Sequence, residues 1–107
     1  MPSRENKLFK SICSILQDEK VMITFNFELD CAGEMIDMDT EGFHHCYAIA
    51  INPLLGDRII TLIHECCHII YPSLKEPSVE TLAQQFYKSL TITQDYALQY
   101  LLAQYRW

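Results

Sequence analysis

Two histidines one helical turn apart are the residues of this sequence whose types and spacing point most directly to chemistry. They stand in the run His64-Glu65-Cys66-Cys67-His68, within a segment whose apolar composition predicts a helix. Four residues of an α-helix turn through about 400°, so both imidazoles lie on one face and can reach one ion. The spacing predicts a two-histidine metal clamp, and zinc is the ion that suits it.

Glu65 follows the first histidine and lies at the same edge of the helix without being needed as a ligand. A bound metal lowers the pKa of a water toward neutrality, and a carboxylate beside it can take the proton. We therefore predict that Glu65 is the general base in a metal-assisted hydrolysis.

A third protein ligand is expected, because a catalytic zinc usually has three together with a water. Glu80 is the predicted ligand, since it lies early in a second predicted helix that can fold back beside the first. Glu76, nearer the turn between the two helices, is the alternative. Helix geometry turns Cys66 about 160° away from His68, and we interpret Cys66 and Cys67 as buried structural cysteines.

The elements that must position these side chains follow from the spacing of apolar residues. One-sided spacing predicts a first helix over residues 5–17, and strict alternation predicts strands over 21–29 and 44–51, with a short strand near 34–39. Three more helices are predicted, over 57–71 with Asp57 as N-cap, over 76–90, and from Thr93 as N-cap toward the C-terminus.

This pattern predicts one domain over residues 1–107, of the α+β class. We expect a small domain in which the N-terminal helix and a short sheet of two to four strands pack on the helix that carries His64. The helix that carries Glu80 and a C-terminal helix then follow. Half of the residues are hydrophobic, which is enough to fill one modest core.

Composition excludes several classes of partner. The net charge is −6, with 8 lysines and arginines and no basic cluster, so we expect no binding to nucleic acid. No apolar run approaches the roughly 18 residues of a membrane span, and the N-terminus is polar. Five cysteines, two of them adjacent, are a poor basis for a disulfide framework. We expect a soluble, cytoplasmic protein.

Three stretches of the sequence resemble the small gluzincin metallopeptidases, including the minigluzincins and their peptidase-like relatives on mobile elements. The stretches are Ile51-Asn52-Pro53, the run from Thr61 to Pro72, and Val79-Glu80-Thr81-Leu82-Ala83, and the resemblance covers about residues 45 to 90. It implies a small zincin-like domain that hydrolyses peptide bonds, in which His64, His68 and Glu80 bind zinc and Glu65 is the base. It also implies that the strand over residues 44–50 is the rim along which a peptide substrate lies.

Alternatives remain open at this stage. The first is a catalytically degenerate zincin-like module that binds a protein partner without cutting it. A structural zinc domain built from Cys46, Cys66 or Cys67 with histidine is disfavoured, because no C-x-x-C spacing occurs. For an enzyme, the expected partner is a peptide or protein substrate, and self-association is kept open. Residues 93–107, rich in aromatic side chains, are expected to restrain activity, unless they simply complete the core.

Overall fold

The computed structural model describes residues 4–37 and 46–105, where three strands form one sheet and four helices pack around it. The predicted α+β class is confirmed for this part of the chain. The elements are α1 (Arg4–Leu16), β1 (Val21–Phe25), β2 (Gly33–Asp37), β3 (Tyr47–Ile51), α2 (Arg58–Ile70), α3 (Glu76–Ser89) and α4 (Ile92–Leu102).

The strand order of the sheet is β1-β3-β2, with β3 parallel to β1 and antiparallel to β2. β3 is therefore the central strand, and its hydrogen bonds are directed to its two neighbours. The prediction that residues 44–50 form a substrate rim is wrong for the described part of that segment, because a central strand offers no unpaired edge to a peptide. His44 and His45 lie outside the described residues. β2 is the edge strand that packs against α2.

The two faces of the sheet differ in burial. Ile23, Ile49 and Met35 stand side by side in register across the three strands and face the helices, with Ile23 and Ile49 almost fully buried. On the opposite face Met22 and Ile36 are each about half exposed. One helix layer thus covers one face of the sheet, and that single interface forms the core.

α2 lies at the centre of this core. Its predicted N-cap is confirmed, since the Asp57 side chain accepts hydrogen bonds from the backbone N–H groups of Ile59 and Ile60. The helix ends at Ile70, and the backbone N–H of Tyr71 donates to the last turn. None of the described helices has the length and apolar character that a membrane crossing requires.

α4 begins earlier than predicted. Its N-cap is Thr91, whose side chain accepts from the Gln94 backbone while the Gln94 side chain accepts from the Thr91 backbone. The predicted N-cap, Thr93, is wrong because it has no such partner three residues later. α4 buries Leu98 and Leu102 and packs on α1, so its position favours the core-completing alternative for this segment.

Candidate metal centre

Two consecutive helices position the candidate residues. α2 carries His64, Glu65 and His68, and α3 packs alongside it after a short turn. Pro77 lies in the first turn of α3, where its missing N–H costs no helical hydrogen bond. This pairing brings Glu76 and Glu80, one turn apart on α3, against the histidines of α2.

The imidazoles of His64 and His68 converge as the spacing predicted. Their Nε2 atoms are 3.2 Å apart, and the two rings meet edge to face. Two nitrogens bound to one zinc at ~2.0–2.1 Å in tetrahedral geometry are roughly 3.3 Å apart. The pair is therefore already spaced as two ligands of one ion.

Glu76 faces the shared side of the two imidazoles. Its Oε1 lies 2.5 Å from His64 Nε2, and its Oε2 lies 2.9 Å from His68 Nε2. These three residues form a group with ligand atoms within 4.8 Å of one another, as a metal site requires. The alternative third ligand is thus in contact with both histidines.

Glu80, the predicted ligand, contacts the other nitrogen of the same ring. Its Oε2 lies 2.9 Å from His64 Nδ1, and its Oε1 accepts a hydrogen bond from Gln84. Both α3 glutamates therefore lie against His64, one on each side of the imidazole. A carboxylate at Nδ1 is the kind of group that orients a metal-binding histidine. To bind an ion held at Nε2, the Glu80 side chain would have to turn to the other side of the His64 ring.

Glu65 is buried, with 7% of its surface exposed, and within the described part of the chain its carboxylate has no hydrogen-bond partner. Burial raises the pKa of Glu65 from its ordinary value of 4.5 to about 7. The nearby charges of Glu76 and Glu34 also raise this pKa, while His64 lowers it. A carboxyl group with this pKa can both accept and release a proton near neutral pH.

A cleft of about 530 Å³ opens in front of these residues, between the edge strand β2 and helix α3. Thr61, His64, Glu65 and His68 line it from α2, and no residue of α4 lies among the described residues that line it. Residues 93–105 therefore do not cover the cleft of their own chain. It stays a prediction that residues 93–107 of a second copy of the chain restrain the activity of this one.

Gly33, at the start of β2, allows the strand to approach Glu65. A Cβ atom built on Gly33 would lie 2.5 Å from Cγ2 of Thr61, 3.1 Å from the Ala50 carbonyl oxygen and 3.4 Å from Oε2 of Glu65. Only a residue without a side chain fits there without a shift. Sequence reasoning missed this residue, although a glycine within a strand is a signal of close backbone approach.

The cysteines of the motif take no part in the site. Cys66 and Cys67 are fully buried, as predicted, and neither lines the cleft. Burial raises the pKa of the Cys66 thiol well above its usual range and that of Cys67 to about 11. Such thiols stay protonated, and a thiolate is what zinc requires.

Comparisons of this chain with protein-family models, with curated proteins and with solved structures found no match. The arrangement of its own residues is therefore the basis for proposing a function.

Proposed function

We propose that this chain is a zinc-dependent peptidase that cuts a peptide bond with Glu65 as general base. The observation that carries the proposal is the pair of imidazole nitrogens 3.2 Å apart, with a carboxylate facing both, beside a glutamate that is 7% exposed. Two imidazoles and a carboxylate suit zinc better than calcium or magnesium, which prefer oxygen ligands alone.

His64 and His68 would hold the ion through Nε2, and we propose Glu80 as the third ligand. Glu80 is the less exposed of the two α3 glutamates, at 55% against 66% for Glu76, and Gln84 holds one of its oxygens. The carboxylate oxygens of Glu76 contact Nε2 of both histidines, and these contacts favour Glu76 as the ligand instead. If Glu80 is the ligand, Glu80→Ala lowers zinc affinity more than Glu76→Ala does. If Glu76 is the ligand, the order is reversed.

When bound, zinc supplies a positive charge that polarises the scissile carbonyl and lowers the pKa of an attacking water. Glu65 then accepts the proton of that water and delivers it to the leaving amine. Among the described residues β2 pairs with β3 alone, and an extended peptide would lie along its outer edge, beside Glu65, as an added strand. In this proposal β2 would take the role that the family resemblance implied for residues 44–50.

The decisive experiment is Glu65→Gln, which keeps the size of the side chain and removes its ability to accept a proton. We expect zinc content and helical content to stay at wild-type levels while cleavage of a denatured protein substrate falls by about a hundredfold or more. Glu28→Gln, at an exposed position outside the cleft, is the matched control. Equal cleavage by wild type and Glu65→Gln would refute the proposed mechanism.

A catalytically degenerate binding module is the second candidate function. It is favoured by the small size of the domain, which supplies little material for a deep specificity pocket. A module of this kind binds zinc and a protein partner, and its binding does not depend on Glu65 as a base. Wild-type protein that is fully loaded with zinc but cuts no denatured substrate would support this alternative.

A further inference from the structure

The chain between β1 and β2 crosses the end of the central strand. β1 and β2 pair with opposite sides of β3, and they run in opposite directions. The last residue of β1 and the first residue of β2 both pair with Ile51, the last residue of β3. Residues 26–32 therefore pass over this end of β3, and we call them the crossing segment.

Asn52, the first residue after β3, holds the crossing segment through its side chain. It is 2% exposed, and its Nδ2 donates to the backbone carbonyl oxygens of Phe27 at 3.3 Å and Leu29 at 2.8 Å. Its Oδ1 accepts from the backbone N–H of Leu54 at 3.0 Å. An amide offers both donors and an acceptor, so one side chain joins the crossing segment to the chain that leads into α2.

The backbone of Asn52 extends this attachment to the wall of the cleft. Its N–H donates to the carbonyl oxygen of Ala32 at 2.7 Å. Ala32 and Gly33 line the cleft, and a Cβ atom on Gly33 would lie 3.4 Å from Oε2 of Glu65. Asn52 is not among the described residues that line the cleft. Its contact with the site is therefore indirect and passes through Ala32 and Gly33.

We propose that Asn52 is a positioning residue, which holds the crossing segment over the end of β3 and thereby fixes Ala32 and Gly33 as the wall of the cleft beside Glu65. Removal of the two Nδ2 donors leaves two carbonyl groups of the crossing segment without this partner. Since an unpaired polar group is costly to bury, the segment would move toward water and carry the wall with it. The effect on cleavage rests on the proposed function, whereas the attachment of the segment does not.

Asn52→Asp tests the proposal, because it keeps the size of the side chain and its acceptor oxygen and removes both donors. Asn26→Asp is the matched control. Asn26 is exposed in the same segment, and the hydrogen bond of its side chain is one that Oδ1 accepts from the backbone N–H of Glu28 at 3.0 Å. The control therefore introduces the same charge and keeps the hydrogen bond.

Hydrogen–deuterium exchange measures the attachment of the crossing segment. The backbone amides of residues 26–33 should exchange at least about tenfold faster in Asn52→Asp than in wild type, with no change in Asn26→Asp. The measurement is made on the full chain, at a temperature at which circular dichroism shows every variant to be folded.

Cleavage of fluorescently labelled, denatured casein measures the effect on the site. In zinc-loaded Asn52→Asp, KM should rise and kcat/KM should fall by about tenfold or more, because the wall along which the substrate lies is displaced. Zinc affinity should stay unchanged, since His64 and His68 lie on α2. Loss of folded protein alone would lower the apparent kcat and leave KM unchanged.

Two further variants separate positioning from a general loss of stability. Asn52→Ala removes the donors without adding a charge and should reproduce the exchange and KM changes of Asn52→Asp. Ile12→Ala removes a fully buried side chain of α1 that does not line the cleft. It should lower the urea midpoint and leave KM at the wild-type value.

Three results would overturn the inference. They are unchanged exchange of residues 26–33 in both Asn52 variants, equal exchange in Asn52→Asp and Asn26→Asp, and faster exchange with an unchanged KM. Failure of the proposed function gives a different result, namely a wild-type protein that binds no zinc or cuts no casein. Exchange of the crossing segment would then decide by itself whether Asn52 holds the wall of the cleft.

Discussion

The two faces of α2 show how one helix serves two purposes. The face toward the sheet and α1 consists of side chains that are at most 1% exposed, namely Ile59, Leu62, Ile63, Cys66 and Cys67. The opposite face lines the cleft with Thr61, His64, Glu65 and His68, at the spacing i, i+3, i+4, i+7. The first face anchors the helix in the core, and the second presents the ionisable groups to the cleft.

This contrast teaches that the geometry of the site depends on the packing of the apolar face of α2, which holds the helix in place. Glu65 is buried immediately beside Cys66, so its carboxylate sits where the apolar face meets the cleft. That position raises the pKa of Glu65 through burial. Substitutions on the apolar face should therefore change stability, and substitutions on the cleft face should change metal binding and cleavage.

The largest expected effects come from one substitution on each face. Leu62→Ala should lower the free energy of unfolding of the metal-free protein by about 2–5 kcal/mol, because it leaves a cavity in the core. His64→Ala should abolish stoichiometric zinc while changing that free energy by less than about 1 kcal/mol. Urea unfolding in chelator and elemental analysis measure the two quantities.

His68→Ala should behave as His64→Ala does, since both imidazoles are needed to hold the ion. A His64→Ala protein that still carries one zinc per chain would remove the proposed site. A Leu62→Ala protein that remains folded yet loses zinc would show that the two faces of α2 are not separable.

Substitution of either α3 glutamate should have a smaller effect on zinc binding, and the comparison of the two identifies the third ligand. We expect Glu80→Ala to lower zinc affinity about tenfold to a hundredfold or more, and Glu76→Ala to lower it much less. Both positions are exposed, so neither change should alter the free energy of unfolding strongly. Chelator competition, run side by side, ranks the variants, and the reverse ranking would assign the ligand to Glu76.

An effect of similar size is expected where β2 meets α2. Gly33→Ala should destabilise the protein by about 1–3 kcal/mol and reduce cleavage with zinc content unchanged, because the added methyl group displaces the strand from Thr61 and Glu65. Gly56→Ala is the matched control, since its nearest contact would be 3.3 Å. Both quantities follow from urea unfolding and cleavage assays on the same samples.

A second variant keeps this prediction specific to the strand contact. Thr61→Ser removes the Cγ2 atom that the new methyl group would meet, so it should restore part of the cleavage lost in Gly33→Ala. Equal losses in the Gly33 and Gly56 variants, with no rescue by Thr61→Ser, would contradict the proposed role of the contact.

The periodicity of apolar residues predicted which elements exist but not where the strands end. Alternation continues to Leu29, yet β1 ends at Phe25. Its partner strand supplies the reason, because Phe25 pairs with Ile51 and the partner ends there, before Asn52. Strand length is thus a property of a pair, which one segment of sequence does not contain.

The candidate site also has one part that residue spacing predicts and another that it does not. The positions of His64, Glu65 and His68 relative to one another follow from helix geometry alone, and the structure brings both imidazoles together as expected. The contacts of Glu76 and Glu80 depend on how two helices cross and on side-chain rotamers. Residue spacing predicts neither the crossing nor the rotamers. The substrate rim depends on strand order, which alternation cannot supply.

The short turn between α2 and α3 has a consequence for the order of folding. All proposed metal ligands lie on these two consecutive helices, whereas the sheet must pair Val21 with Tyr47 across the whole of β2. Contacts between neighbouring segments form sooner than contacts that close long loops. The helical hairpin is therefore expected to be able to capture metal in a partly folded chain, before the edge strand arrives. Metal binding would then precede completion of the cleft by β2 during folding.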